Sequence, residues 1–244
     1  MKVSIITATF NSEGTLLDTI RSVNKQGYDD IEHIFVDGGS TDGTLGMIGE
    51  HACAGHIIIS QAGRGIYNAL NLGVRAATGD LVGFLHSDDF YSTGDCVQRI
   101  VDQFSDGIHG IYGDLSLVAH EDTSKVLRSW KSSEITKYSQ TFGWMPPHPT
   151  LYLRSEIIKE LEFDETFEIS GDYDFVLRLL QKDKVVLSYL AFTLVHMRSG
   201  GASNGSVKKA ISSAREDYRA LRKNFAGGWM TVVFKRLRKI NQVF

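Results

Sequence analysis

The sequence predicts an α/β fold, a mostly parallel central sheet flanked by helices with a helical extension at the C-terminus. Along the first hundred or so residues, short β-branched runs alternate with stretches of helical periodicity, the order that parallel strands and their crossover helices impose. Each run ends in a loop of glycine and small polar residues, while the only prolines, Pro146, Pro147 and Pro149, lie far from that alternation.

The first strand is the run 3–8, and the polar residues from Asn11 to Thr15 supply caps for an amphipathic helix over 16–26. A second strand, 31–36, stops at Asp37-Gly38-Gly39-Ser40-Thr41-Asp42-Gly43, after which helical spacing resumes over 44–51. Residues 56–60 read as a third strand, 67–77 as a helix and 81–85 as a fourth strand. The loops after Ala8, Val36, Ser60 and Leu85 thus share the carboxyl end of the sheet, where open α/β sheets bind ligands. The second half predicts strands at 110–119, 125–130 and 150–153, a helix over 171–181, strand-like segments across 184–197 and a long helix over 206–225. Proline excludes helix around 144–149. No repeat or low-complexity linker divides the chain into independent domains.

A length of 244 residues, 42% hydrophobic and 23% charged, suits one large domain with an appendage. The net charge of −3 gives no general attraction to nucleic acid, although the final stretch is locally basic. Cys53 and Cys96 show no Cys-x-x-Cys spacing, which argues against a thiolate zinc site or disulfide framework and for a reducing compartment. No apolar run reaches the ~18 residues of a spanning helix, and the run after Met1 is too short for a signal sequence, so a cytoplasmic location is expected.

The apolar run 81–85 passes directly into His86-Ser87-Asp88-Asp89. Adjacent carboxylates at about 4 Å repel by roughly 1 to 4 kcal/mol between water and a protein surface, so they call for a solvent-filled cleft, a proton or a cation. Oxygen ligands of this kind suit Mg²⁺ or Mn²⁺; the alternative is a pair that caps a turn. The Asp37 loop offers a carboxylate to a base N–H and glycines that admit a planar ring, or else forms an ordinary Asx turn. Gly-x-Gly-x-x-Gly and Walker A patterns are missing, which removes the main support for dinucleotide and P-loop readings. Asp172 and Asp174 open the 171–181 helix; about 200° of rotation separates them, so only one faces a given cleft.

Thr7-Ala8-Thr9-Phe10-Asn11, the Asp37 to Asp42 loop, Gly65 to Gly73, Ala77-Thr78-Gly79-Asp80, Ser87-Asp88-Asp89, Gly171-Asp172-Tyr173-Asp174 and Gly200-Gly201-Ala202-Ser203 resemble glycosyltransferase family 2 in order and spacing, over roughly residues 1–205. The resemblance implies a GT-A fold with a nucleotide-binding half at 1–100 and an acceptor-binding half at 101–205, followed by an extension at 206–244. It also implies a nucleotide-sugar donor, a divalent cation (Mn²⁺ or Mg²⁺) and inversion at the anomeric carbon. Carried over by position, it has Thr7, Thr9 and Asn11 lining the nucleoside pocket, Asp37 accepting from the base ring, and Arg64 near the phosphates. Asn68 and Asn71 hold their loop to the sheet. His86 stands where the family's Asp-x-Asp motif has its first aspartate, and as neutral imidazole it keeps a ribose hydrogen bond without adding charge. Ser87 and Arg198 are the further donor contacts, Asp88 and His196 the cation ligands, and Asp89 fixes the loop. Asp172 takes the position of the catalytic base, with Gly171 where most relatives carry glutamate, and Asp174 serves the helix N-terminus.

The expected reaction is transfer of a sugar, most often from a UDP-sugar in such proteins, to a saccharide or lipid-linked saccharide during surface polysaccharide synthesis. Trp144, His148 and Thr150 are candidates to shape the acceptor pocket. The segment 229–244 joins large apolar residues to a basic cluster, which suits the inner face of an anionic membrane, packing on its own domain, or a homodimer contact. Competing functions are a non-catalytic nucleotide-sugar-binding or glycan-assembly protein and a sugar nucleotidyltransferase. The latter needs a basic, glycine-rich loop after the first strand, and Thr7 to Asn11 is not one.

Overall fold

The computed structural model describes residues 1–61, 63–136, 138–200 and 207–238. Gly201-Ala202-Ser203, the first residue of the predicted 206–225 helix and everything after 238 lie outside these. Strands β1 (Val3–Thr9), β2 (Ile31–Asp37), β3 (Ile57–Ser60) and β4 (Leu81–Phe84) alternate with helices α1 (Leu16–Asn24), α2 (Thr44–His51) and α3 (Ile66–Ala76), as predicted. These four strands are parallel in the order β3-β2-β1-β4, and the register sets Thr9 beside Asp37 and Ile6 beside Phe84.

Beyond β4 the same sheet becomes mixed. β6 (Gly110–Val118) and β7 (Val126–Trp130) form an antiparallel pair over a short connection, and β8 (Tyr152–Arg154) runs antiparallel to both β4 and β6. The predicted strand-like segments over 184–197 become one strand, β9 (Leu187–Arg198), which lies parallel to β6 with register shifts along the way. A two-residue strand, β5 (Phe90–Tyr91), pairs antiparallel with β9 and sets Phe90 opposite His196. Helices α4 (Cys96–Gln103) and α5 (Ser155–Leu161) complete the middle of the chain, while α6 (Gly171–Gln181) has its predicted bounds. The proline segment contains no α-helix, but its end tightens into a single 3-10 turn at His148–Thr150, where Pro149 has no N–H to lose.

Period-two alternation divides the core between the two faces of the sheet. Val3 and Ile5 pack with Val97 and Ile100 of α4, whereas Ile6, Val82 and Phe84 pack with α3, α5 and α6. The extension is built into this second core: Ala220 and Leu221 of α7 (Val207–Lys223) and Val232 of α8 (Trp229–Arg238) are buried in it. The expected boundary at residue 100 falls within α4.

Candidate functional site

The open end of β1, β2 and β4 is organised around Asp37. Its Oδ1 accepts from Thr9 Oγ1 (3.0 Å) and Ser40 Oγ (2.6 Å), and its Oδ2 from the Gly39 and Ser40 amides (2.9 and 2.8 Å). Burial pushes this carboxyl up, but the bonds from Ser40, Gly39 and Thr9 outweigh it and hold the pKa below the usual carboxylate value. Four accepted bonds fill the capacity of a carboxylate, so Asp37 shapes the loop and has no free lone pair for a base N–H. Asn11, in the left-handed region at φ 48°, receives the Thr41 amide on Oδ1 (2.9 Å) and ties the β1 loop to the β2 loop. Thr7 is wholly buried and its hydroxyl bonds His33 Nε2 (2.9 Å), so, contrary to expectation, it cannot line a pocket. Arg64 is exposed on the loop that enters α3.

The His86 to Asp89 turn is fastened to α1 and the loop before it. Ser12 Oγ donates to Ser87 Oγ (2.9 Å), Thr15 Oγ1 to the Ser87 carbonyl (2.9 Å) and Thr19 Oγ1 to the Asp89 carbonyl (2.7 Å). Asp88 is half-buried, with no hydrogen bond to its carboxylate among the described residues. Asp89 is 1% exposed and neither oxygen has a partner; burial, with Asp88 beside it, pushes its pKa well above the ordinary value. His196 Nδ1 is likewise unpartnered. Arg198, expected at the diphosphate, instead donates Nη1 to the His120 carbonyl (2.9 Å) and pairs through Nη2 with Asp18 of α1, while its buried Nε is unpartnered. Among the described residues no three His, Cys, Asp or Glu side chains gather as a metal cluster.

The N-terminus of α6 is fixed from three sides. Tyr67 of α3 donates to the Ile169 carbonyl (2.7 Å) and accepts the Gly171 amide (2.8 Å). A Cβ at position 171 would lie 2.7 Å from the Tyr67 ring, which is why glycine stands there. Asn68 and Asn71 hold the segment leading to α6: Asn71 bonds both the amide and the carbonyl of Phe163, and both asparagines reach Glu165. From the other side, Glu216 of α7 accepts the amides of Glu168, Ile169 and Ser170 (3.1, 2.8 and 2.8 Å).

This scaffold presents Asp172 half-buried, with Oδ1 on the Tyr173 amide (2.8 Å). Burial raises its pKa, opposed by Lys235 of α8, the Tyr173 amide and His86. Asp174 points the other way and is fully buried between Arg178 (2.8 Å), Lys223 (3.0 Å) and Asn224 (2.9 Å), so its carboxylate is structural. Burial lowers the pKa of His86, although Asp88 and Asp172 pull it upward. Its ring lies 5.9 Å from that of His148, and His148 packs on Phe84 (5.0 Å) and Phe163 (5.6 Å) with both ring nitrogens buried and unpartnered. The other two acceptor candidates are spent on structure. Trp144 sits in the core with Nε1 on Ser133 Oγ (3.0 Å), and Thr150 latches onto the carbonyls of Gly113 and Pro147.

The fold therefore links Thr9 to Asp37 directly and Asn11 to Asp37 through Ser40, ties Ser87 to Ser12, the residue after Asn11, and brings His86 within electrostatic reach of Asp172. Sequence patterns miss Tyr67, Glu216 and Lys235, whose partners are distant along the chain. The only local signal is Gly171, a departure from the usual glutamate that makes room for a close neighbour.

Residues 4–185 match the family described as Glycosyl transferase family 2. A PGL/p-HBAD biosynthesis glycosyltransferase of Mycobacterium bovis is 27% identical over 217 residues, 84% of this chain and 80% of that one. Staphylococcus aureus TarS 1-349, solved in complex with UDP-GlcNAc, superposes with a TM-score of 0.66 at 20% identity, over 92% of this chain. The chain spans 65% of that fragment, slightly less than two thirds. A mannosyltransferase of Pyrobaculum calidifontis, solved in complex with GDP-Man and Mn²⁺, has a TM-score of 0.66 at 17% identity, over 99% of this chain and 72% of that one. The shared architecture is the GT-A fold. With its fold and most of its length matched in this way, the chain is a member of glycosyltransferase family 2.

Proposed function

We propose that the chain transfers a hexosyl or N-acetylhexosaminyl group, with inversion, from a nucleotide diphosphate sugar to a saccharide or lipid-linked saccharide in surface polysaccharide or glycolipid synthesis. The observation that carries the reading is Asp172, a half-buried carboxylate with a raised pKa, held at the cleft end of α6 beside His86. A carboxyl pushed toward neutrality is a better proton acceptor, and general-base transfer contributes typically ~10²- to 10⁴-fold. With Oδ1 held by the Tyr173 amide, Oδ2 takes the proton of the acceptor hydroxyl as that oxygen attacks the anomeric carbon. The bond from that carbon to the diphosphate breaks on the opposite face, and the configuration inverts.

The 1–100 half holds the donor and 101–205 the acceptor. The donor is read as a uridine diphosphate sugar, a reading that a neighbour solved in complex with UDP-GlcNAc supports; another neighbour is in complex with GDP-Man. The nucleoside lies over the Asn11 and Asp37 loops, with His86 and Ser87 toward the ribose and Arg64 toward the phosphates. Asp88 and His196 would hold Mn²⁺ or Mg²⁺; a half-buried carboxylate with no hydrogen bond among the described residues and an unpartnered imidazole nitrogen fit such an ion, whose other positions phosphate and water oxygens can fill. When bound, the ion neutralises charge on the departing diphosphate. The enzyme works on the cytoplasmic side, peripheral to the membrane; among the described residues no helix is long and apolar enough to cross it.

A thermal-shift screen of nucleotide sugars with and without Mn²⁺ tests the donor, because a ligand at 100 times its Kd stabilises by about 2.7 kcal/mol. One donor class should raise Tm and be turned over with an acceptor. Binding without turnover, the same in Asp172→Asn, would instead favour a non-catalytic sugar-nucleotide binder.

A further inference from the structure

Helix α8 has two faces. Thr231 and Val232 are buried, and Lys235 points inward with Nζ 2.6 Å from Asp217 and 3.5 Å from the centre of the Tyr173 ring, next to Asp172. The helix also presses on the loop that leads to His148. Gly143, at φ 65°, has room for no Cβ, because one would lie 2.6 Å from Lys235 Cβ, and the rings of Phe142 and Phe234 meet at 5.4 Å. The last helix is thus wedged between the base-bearing helix and the acceptor loop.

The opposite face is uncovered. Met230, Val233 and Leu237, at i, i+3 and i+7, are 66%, 46% and 50% exposed. Trp229 is half exposed at the start of the helix, and Phe225 just before it is 97% exposed. Around this stripe α8 carries Arg236 and Arg238 and no acid, and over 206–244 ten Lys and Arg face two acids in a chain of net charge −3.

We propose that this face seats the enzyme on an anionic lipid surface, so that α8 is at once the wall of the acceptor site and its contact with the membrane. The inference rests on the acceptor reading above and narrows it to a lipid-borne saccharide. Ten residues rise about 15 Å, half the thickness of the hydrocarbon core, so the helix lies in the interface. Charge decides between lipid and a second copy of the chain: a two-fold contact through this face would set one basic cluster against another, whereas anionic headgroups complement it.

The test is sedimentation of the full chain with phosphatidylcholine vesicles, with and without phosphatidylglycerol, alongside a triple Met230→Ser, Val233→Ser, Leu237→Ser variant. The chain should partition onto the anionic vesicles only. The variant should bind them about tenfold more weakly, at unchanged Tm and with unchanged release of nucleotide on a water-soluble acceptor. No binding by the chain, or equal binding by the variant, overturns the proposal. So does a dimer in analytical ultracentrifugation that the variant breaks, since the occupant would then be a second copy. Vesicle binding is read without turnover, so its failure is separate from any failure of the catalytic reading.

Discussion

Replacing His148 by phenylalanine should make the protein more stable and leave its kinetics almost unchanged. The imidazole is 6% exposed, and both nitrogens are unpartnered between Phe84, Phe163 and His86. Burial lowers its pKa to about 3, with His86 adding a little, so the ring is neutral and offers one donor and one acceptor. A buried polar group without a partner costs about 1–3 kcal/mol. Phenylalanine removes that cost and keeps the stacking, and the extra ring volume offsets part of the gain. A net stabilisation of about 1–2 kcal/mol raises Tm by about 2–8 °C in a chain of this size. Both nitrogens are sealed from solvent, so no hydrogen bond to a substrate is lost, and donor and acceptor KM should each change less than about twofold. Calorimetry and steady-state kinetics on the same preparations measure both. A His148→Phe protein that melts lower refutes the reasoning, because the histidine would then be a satisfied core residue.

Glu32 should control acid stability. It is 7% exposed and accepts from Lys2, Ser4, Thr78 and the Gly79 amide. Burial alone would raise its pKa, but these bonds bring it from 4.5 down to about 2. The folded pKa is depressed, so the stabilisation is complete above pH 4.5 and is lost as pH falls toward about 2. It is worth about 2–3 kcal/mol, so Glu32→Gln should lower Tm at pH 7 by about 4–12 °C and the gap should narrow in acid; a pH-independent gap in melting scans would contradict this. Lys235→Met should lower kcat about tenfold with donor KM unchanged, and Lys235→Arg should recover most of it, because the cation over Tyr173 helps to fix Asp172. Equal loss in both variants would mean that only the shape of the lysine matters.

Much of the architecture is legible along the chain. β1, β2 and β4 are buried on both faces and show as runs rich in β-branched and apolar residues, β3 at the sheet edge alternates between half-buried and exposed positions, and α2 and α6 begin and end where their spacing predicts. β5 is too short to register as a pattern, and α5, seven residues long, is wedged between a strand and a turn. α4 follows Thr93-Gly94-Asp95, which resembles a loop, so its buried stripe of Cys96, Val97 and Ile100 passes unnoticed. The site residues divide in the same way. Asp172 and Asp174 are separable from helical rotation alone, and the structure buries Asp174 in ion pairs. Asp37 and Arg198 are not: whether their polar atoms face a ligand depends on Ser40 and Thr9 in one case and on Asp18, 180 residues away, in the other. Tyr67 and Lys235 act through contacts that only the folded chain creates.

The central claim is that Asp172 is the base of a sugar transfer, and nucleotide release by Asp172→Asn answers it most directly. With the donor found by thermal shift and a saccharide acceptor, kcat should fall by about 10²- to 10⁴-fold while the donor-induced rise in Tm persists. A variant that turns over at the wild-type rate, or one that no longer binds the donor at all, would contradict the assignment.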